Sequence, residues 1–144
     1  MRKLNRILLV DDDNATNFLH QLLLEEMDLA ENIDIALNGK EALDKIEAYS
    51  IEELPQLILL DINMPFMNGF EFLEQYEKLD EDRKVGVRLM MITTSTDPRD
   101  LAKSKQFSSI SGFLNKPLTD KKIIKLWDQY FKNETVLEDG TNNT

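Results

Sequence analysis

The stretch Leu57-Ile58-Leu59-Leu60-Asp61-Ile62-Asn63-Met64-Pro65-Phe66-Met67-Asn68-Gly69 decides how this chain folds. Its first four residues form a continuous apolar run, the pattern of a strand buried on both faces. The run stops abruptly at Asp61, and residues 63–69 are loop chemistry. Phe70, Phe72, Leu73 and Tyr76 then suggest a helix. The unit is a strand followed by a helix, with a carboxylate at the carboxyl end of the strand.

The same alternation extends in both directions. Ile7-Leu8-Leu9-Val10 is a second apolar run, followed over residues 14 to about 27 by Phe18, Leu22 and Leu23 at helical spacing. Ile33, Ile35 and Leu37 alternate with Asp34 and Ala36, a strand with one wetter face near a sheet edge. Gly39 opens a helix carrying Ala42, Leu43 and Ile46. Downstream, residues 87–92 form a strand that runs into Thr93-Thr94-Ser95, and Asp97-Pro98 starts a helix with a cap and a first-turn proline. Gly112-Phe113-Leu114-Asn115 is a short strand before Lys116-Pro117, and Thr119 caps a last helix with Ile123, Trp127, Tyr130 and Phe131. Five such units in order predict an α/β fold, a doubly wound five-stranded parallel sheet with five covering helices. Residues 80–84 read as a charged surface loop. Residues 133–144 are polar and read as a frayed tail, expected to be disordered.

The bulk properties agree with this plan. The 144 residues fit one domain, and a 42% hydrophobic fraction is enough for a packed interior. No apolar run approaches the ~20 residues of a membrane helix, and the basic start lacks the long apolar stretch of a secretory signal. A cytoplasmic location is expected, with no membrane partner. A net charge of −10 argues against non-specific binding to nucleic acid. There is no cysteine, which excludes disulfides and thiolate metal sites.

In open α/β sheets, ligands bind outside the carboxyl ends of the strands. The residues at those ends are Asp11-Asp12-Asp13, Asp61, Thr93 and Lys116. If the strand order is 2-1-3-4-5, strands one and three lie side by side and several of these residues meet at the switch point. Two like charges ~4 Å apart repel by ~4 kcal/mol at the effective dielectric of a protein surface. Gathered carboxylates therefore need a cation. An all-oxygen set suits Mg²⁺, and a single His20 makes zinc implausible. Lys116 adds a fixed positive charge where a phosphoryl oxygen would sit, and the Thr93 hydroxyl can donate to another. Any one of these residues alone has an ordinary reading as a cap, a turn or a β-former. Their joint occurrence at strand ends makes that reading untenable for the set.

The motifs Leu9-Val10-Asp11-Asp12-Asp13, Leu60-Asp61-Ile62-Asn63-Met64-Pro65 through Gly69, Ile92-Thr93-Thr94 and Asn115-Lys116-Pro117 carry a resemblance. Over residues 5–131 the chain resembles a receiver domain of the bacterial response-regulator family, similar to the single-domain chemotaxis regulators. The resemblance implies a flavodoxin-like sheet of order 2-1-3-4-5, an arrangement for which a receiver is a standing example. A receiver domain over residues 1–132 is expected, with 133–144 as tail.

The resemblance also implies roles. Asp61 matches the phospho-accepting aspartate, Asp12 the direct Mg²⁺ ligand, Asp11 its helper through water, and Asn63 the residue whose backbone carbonyl completes the metal shell. Thr93 matches the switch hydroxyl, Phe113 the aromatic that rotates inward, Lys116 the lysine that pairs with phosphoryl oxygens, and Pro117 a proline often preceded by a cis peptide. Implied partners are a sensor histidine kinase or phosphotransfer protein, and a downstream protein that reads the face of the fourth helix, fifth strand and fifth helix. Such a protein is no enzyme in the usual sense, though it assists its own phosphorylation and dephosphorylation. Two positions depart from the family pattern. Thr94 is larger than the usual alanine or glycine and is placed to hinder access to Asp61, while Phe113 lacks the tyrosine hydroxyl.

Three rival readings are weaker. A haloacid-dehalogenase-like phosphatase wants a second acid two residues after its nucleophile, where this chain has Asn63. A flavodoxin-like cofactor carrier would place phosphate where three aspartates repel it. A receiver-like interaction module that signals without phosphorylation would have no need of the site residues, all of which are present.

Overall fold

The computed structural model describes residues 1–94 and 97–132. The expected tail at 133–144, and Ser95 beyond the fourth strand, lie outside the described residues. The strands are β1 (Leu4–Val10), β2 (Ala30–Ala36), β3 (Leu57–Leu60), β4 (Arg88–Thr93) and β5 (Ile110–Asn115). The helices are α1 (Asn14–Glu26), α2 (Gly39–Ala48), α3 (Gly69–Tyr76), α4 (Pro98–Ser104) and α5 (Asp120–Tyr130), with short 3₁₀ turns at Ile51–Glu53 and Glu81–Arg83. All strand pairs are parallel, in the order β2-β1-β3-β4-β5. This is the doubly wound arrangement expected from the alternation of elements.

Side-chain alternation builds two cores, one on each face of the sheet. Leu8, Val10, Ile58, Leu60, Leu89 and Met91 pack with Ala42 and Ile46 of α2 and Phe72 and Leu73 of α3. Ile7, Leu9, Leu57, Leu59, Met90 and Ile92 pack instead with Leu24 of α1 and Ile123, Leu126 and Trp127 of α5. The central strand β3 is buried throughout, which is why its sequence shows no alternation. The edge strands β2 and β5 are mostly half-buried. Trp127 is core, as its spacing suggests, and its indole N–H donates to the Arg2 carbonyl at 2.7 Å.

Local polar groups set where the helices begin. Asp13 accepts from the Ala15 N–H at the start of α1, Asn38 from Glu41 at α2, and Thr119 from Lys122 at α5. Asn68 and Glu71 form a reciprocal capping box at α3. Asp97 caps α4 ahead of Pro98, as expected.

Two segments carry more than their sequence suggested. The inward face of α1 consists of Asn17, His20 and Leu24, whereas Phe18 is 64% exposed, Leu22 is exposed and Leu23 only partly buried. The apolar spacing marks the helix but not its buried face, because two polar side chains occupy much of that face. The segment at 80–84 is also more than a solvated loop. Arg83 Nη1 donates to the Ile46 and Tyr49 carbonyls at 2.9 and 2.7 Å, and Lys84 Nζ donates to the Glu77 carbonyl. Carbonyls left over at the C-terminal ends of α2 and α3 recruit these cations.

Candidate functional site

The sheet register assembles the site. Asp11 continues β1 by donating its N–H to the Ala36 carbonyl of β2, and Asp61 continues β3 by donating to the Val10 carbonyl of β1. The two aspartates therefore leave adjacent strands at one rim. On the other side of β3, Thr93 ends β4 opposite Asn115 of β5, and the Lys116 N–H donates to the Thr93 carbonyl at 2.9 Å. The turn after β5 contains the cis Lys116–Pro117 peptide that the resemblance implied.

Asp11, Asp12 and Asp61 each offer one carboxylate oxygen, and these atoms lie within 4.8 Å of one another. Asp11 and Asp61 are buried and Asp12 is exposed. The third member of the aspartate run has a different task, since Asp13 caps α1 through both of its oxygens. Its own backbone N–H donates to Asp11 Oδ1 at 3.0 Å. Lys116 Nζ lies 2.5 Å from Asp11 Oδ2 and 3.3 Å from Asp61 Oδ1. Its contact with Asp11 is a charge pair and not a well-directed hydrogen bond, because Asp11 Oδ2 is buried without such a bond.

The electrostatics follow from this crowding. Burial, and then the charge of Asp11, push the Asp61 carboxyl up from 3.8 to about 6, against the opposing pull of Lys116. Burial works against the Lys116 ammonium, but Asp11 and Asp61 outweigh it and the net shift is upward. Buried like charges with a single cation between them form a site short of positive charge. The donors are all oxygen, Asp12 faces solvent, and Asp11 Oδ2 has acceptor capacity to spare. Those residues fit a hard divalent cation that keeps part of its water shell.

The other expected residues lie on β4, on β5 and on the loops that follow β3 and β4. Thr93 is buried at the end of β4. Asn63 is exposed two residues past Asp61, on a loop folded back by the Gly69 N–H donating to the Ile62 carbonyl at 2.8 Å. Phe113 is half-buried on β5, in register with Met91 and packed against the α2–α3 core. Thr94 is exposed and lines a groove of about 590 Å³ with Leu19, His20, Lys116 and Leu118. Asn17 and His20 were not legible as site neighbours. Their signal in the sequence is a pair of polar residues three apart on a helix, which in most helices marks the solvent face.

Comparison with known proteins agrees with this fold. The family model for the response regulator receiver domain matches residues 7–128. The chain belongs to the response-regulator receiver family. A two-component response regulator from Cytophaga hutchinsonii superposes on this receiver with a TM-score of 0.81 at 30% identity, covering 92% of this chain and all of that one. A probable methanogenesis regulatory protein, FilR2, of Methanothrix harundinacea is 32% identical over 115 residues, 78% of this chain and 72% of its own. The chemotaxis protein CheY of Halobacterium salinarum is 28% identical over 120 residues, 83% of this chain and 90% of its own. Among the described residues of this receiver, no helix is long and apolar enough to cross a membrane.

Proposed function

We propose that this receiver accepts a phosphoryl group on Asp61 from a sensor histidine kinase or phosphotransfer protein in the cytoplasm, in a Mg²⁺-dependent reaction. The observation that carries the reading is the convergence of Asp11, Asp12 and Asp61 on one point, with Lys116 Nζ set between Asp11 and Asp61. Asp11, Asp12, the Asp61 carboxylate and the Asn63 backbone carbonyl are the groups that would hold the ion. When bound, it supplies positive charge to the carboxylates and to the transferring oxygens.

A carboxylate oxygen of Asp61 attacks phosphorus in line as the phosphohistidine N–P bond breaks, and that bond's electron pair returns to the imidazole nitrogen. Lys116 meets the charge on the phosphoryl oxygens, so catalysis is chiefly positioning and electrostatics. Thr93 then donates its hydroxyl to the aspartyl phosphate and Phe113 moves inward. This remodels the face of α4, β5 and α5, on which Leu101 and Ile124 are exposed, for a downstream protein. Residues 1–132 form the receiver in this reading, and 133–144 its tail.

Acetyl phosphate with Mg²⁺ should label the parent chain, and the Asp61→Asn variant should not label. Mg²⁺-dependent binding of beryllofluoride provides a second arm. Equal labelling of parent and Asp61→Asn sinks the assignment. Absence of both labelling and beryllofluoride binding favours an interaction module that signals without phosphorylation.

A further inference from the structure

The inward face of α1 carries two polar side chains where the core would accept apolar ones. Asn17 and His20 are 2% and 5% exposed, and each grips backbone on a different loop. Asn17 Nδ2 donates to the carbonyl of Asp11 at 2.8 Å. His20 Nε2 accepts from the N–H of Leu118 at 3.4 Å, across 98 positions of sequence. Leu118 lies two residues beyond Lys116, on the turn that also carries Pro117. Lys122 Nζ holds the same turn from α5, donating to the carbonyls of Asn115 and Pro117 at 2.8 and 3.0 Å.

These contacts close a ring. It runs from Asn17 to Asp11, across the charge pair to Lys116, along the turn to Leu118, and back through His20 to α1. Buried polar groups are costly unless they are bonded, so an apolar residue at position 20 would pack without that burden. The histidine instead gives the buried Leu118 N–H an acceptor, which an aliphatic side chain cannot supply. To accept at Nε2 the imidazole must be neutral, with its proton on Nδ1. Burial favours that neutral form, as does Lys116, while Asp11 opposes it.

The geometry points to His20 as a positioning residue for Lys116: with Asn17 it makes α1 a bracket that fixes the lysine turn relative to the Asp11 loop. The catalytic significance of that bracket rests on the proposed phosphoryl transfer to Asp61. Lys116 is useful there only if its ammonium is held where the phosphoryl oxygens arrive, and small displacements of such groups carry large rate penalties.

The test uses the full chain and three substitutions: His20→Leu, His20→Gln and Lys116→Ala. Glutamine presents an acceptor oxygen where leucine has none. Amide exchange of Leu118, followed by NMR without any phosphodonor, should accelerate ~5-fold or more in His20→Leu and return toward the parent rate in His20→Gln. The maximal rate of labelling by acetyl phosphate at saturating Mg²⁺ should fall roughly 10-fold in His20→Leu, with His20→Gln within roughly 3-fold of the parent. The Mg²⁺ concentration giving half-maximal rate should not rise in His20→Leu, because a displaced Lys116 competes less for the Asp11 carboxylate. In the Lys116→Ala background, His20→Leu should slow labelling no further, because the histidine acts through the lysine.

Unchanged Leu118 exchange in His20→Leu overturns the bracket. An equal further loss of labelling in the Lys116→Ala background overturns the link to Lys116 and leaves only a packing role. If the parent itself fails to label on Asp61, the proposed function fails, and the bracket's link to catalysis falls with it. The exchange data then still decide whether His20 holds the turn.

Discussion

Lys116 stands closer to Asp11 than to Asp61, at 2.5 Å against 3.3 Å, so its ammonium neutralises the Asp11 carboxylate more directly than that of Asp61, the proposed phosphoacceptor. It occupies part of the electrostatic role that a divalent cation would take. Lysine and metal therefore compete for the same negative charge, and binding of the ion should free Lys116 to meet an incoming phosphoryl group.

Replacing Lys116 with methionine removes that competitor while keeping most of the unbranched apolar stem. Mg²⁺ affinity should rise, by about 10-fold for a repulsion on the order of 1–2 kcal/mol at effective protein dielectric. Labelling by acetyl phosphate should slow by about 100-fold, since one charge-stabilising group is lost from the transition state. Isothermal titration with Mg²⁺, alongside labelling rates, separates the two effects. Weaker Mg²⁺ binding in Lys116→Met would contradict the competition.

The raised carboxyl of Asp61 makes metal-free stability depend on pH in a defined direction. Its ordinary value is 3.8 and the fold moves it to about 6. Between roughly pH 4 and pH 6 the folded state holds a proton that the unfolded state has released. Stability from this group therefore falls as pH rises through that window, by up to ~3 kcal/mol. Exposed carboxylates whose values are lowered, such as Asp13 and Asp97, act in the opposite direction. The comparison should accordingly be between parent and Asp61→Asn in chelator. Denaturant unfolding should show the substitution becoming progressively more stabilising from pH 4 to pH 6, and Mg²⁺ should shrink the difference.

Gly69 supports Asp61 from behind. A Cβ at position 69 would sit 2.5 Å from the Asp61 carbonyl oxygen and 3.1 Å from Ile62 Cα, both of them backbone atoms. Gly69→Ala should therefore destabilise the receiver by about 1–3 kcal/mol, the range for forcing a methyl into packed structure. Because the displaced carbonyl belongs to Asp61 itself, labelling should also slow. Unfolding midpoints and labelling rates of Gly69→Ala at one temperature check both.

Phe66 is strained and exposed together. Its φ is 65°, in the left-handed region, and 92% of the residue is open to solvent. A bulky side chain there carries a penalty of about 1–2 kcal/mol that asparagine largely avoids. Phe66→Asn should raise stability by about 0.5–1 kcal/mol, with acetyl phosphate labelling unchanged. A lower unfolding midpoint would show that the ring has packing the exposed surface conceals.

The order of strands and helices was legible because burial on both faces writes unbroken apolar runs such as residues 57–60, and because caps at Asp97 and Thr119 mark helix starts locally. The residues at the carboxyl rim were legible for a related reason. A charged side chain at the carboxyl end of a strand is conspicuous, so Asp11, Asp12, Asp61 and Lys116 could be named from their positions alone. What the linear chain left open was every relation that depends on two loops meeting. The clustering of Asp11 and Asp12 with Asp61, the preference of Lys116 for Asp11, and the bond from the Leu118 N–H to His20 all arise between segments far apart in sequence. Periodicity reports which stripe of a helix is apolar, and on α1 Phe18 and Leu22 of that stripe face solvent. Only the tertiary structure brings backbone donors and acceptors to the polar stripe and makes its burial tolerable.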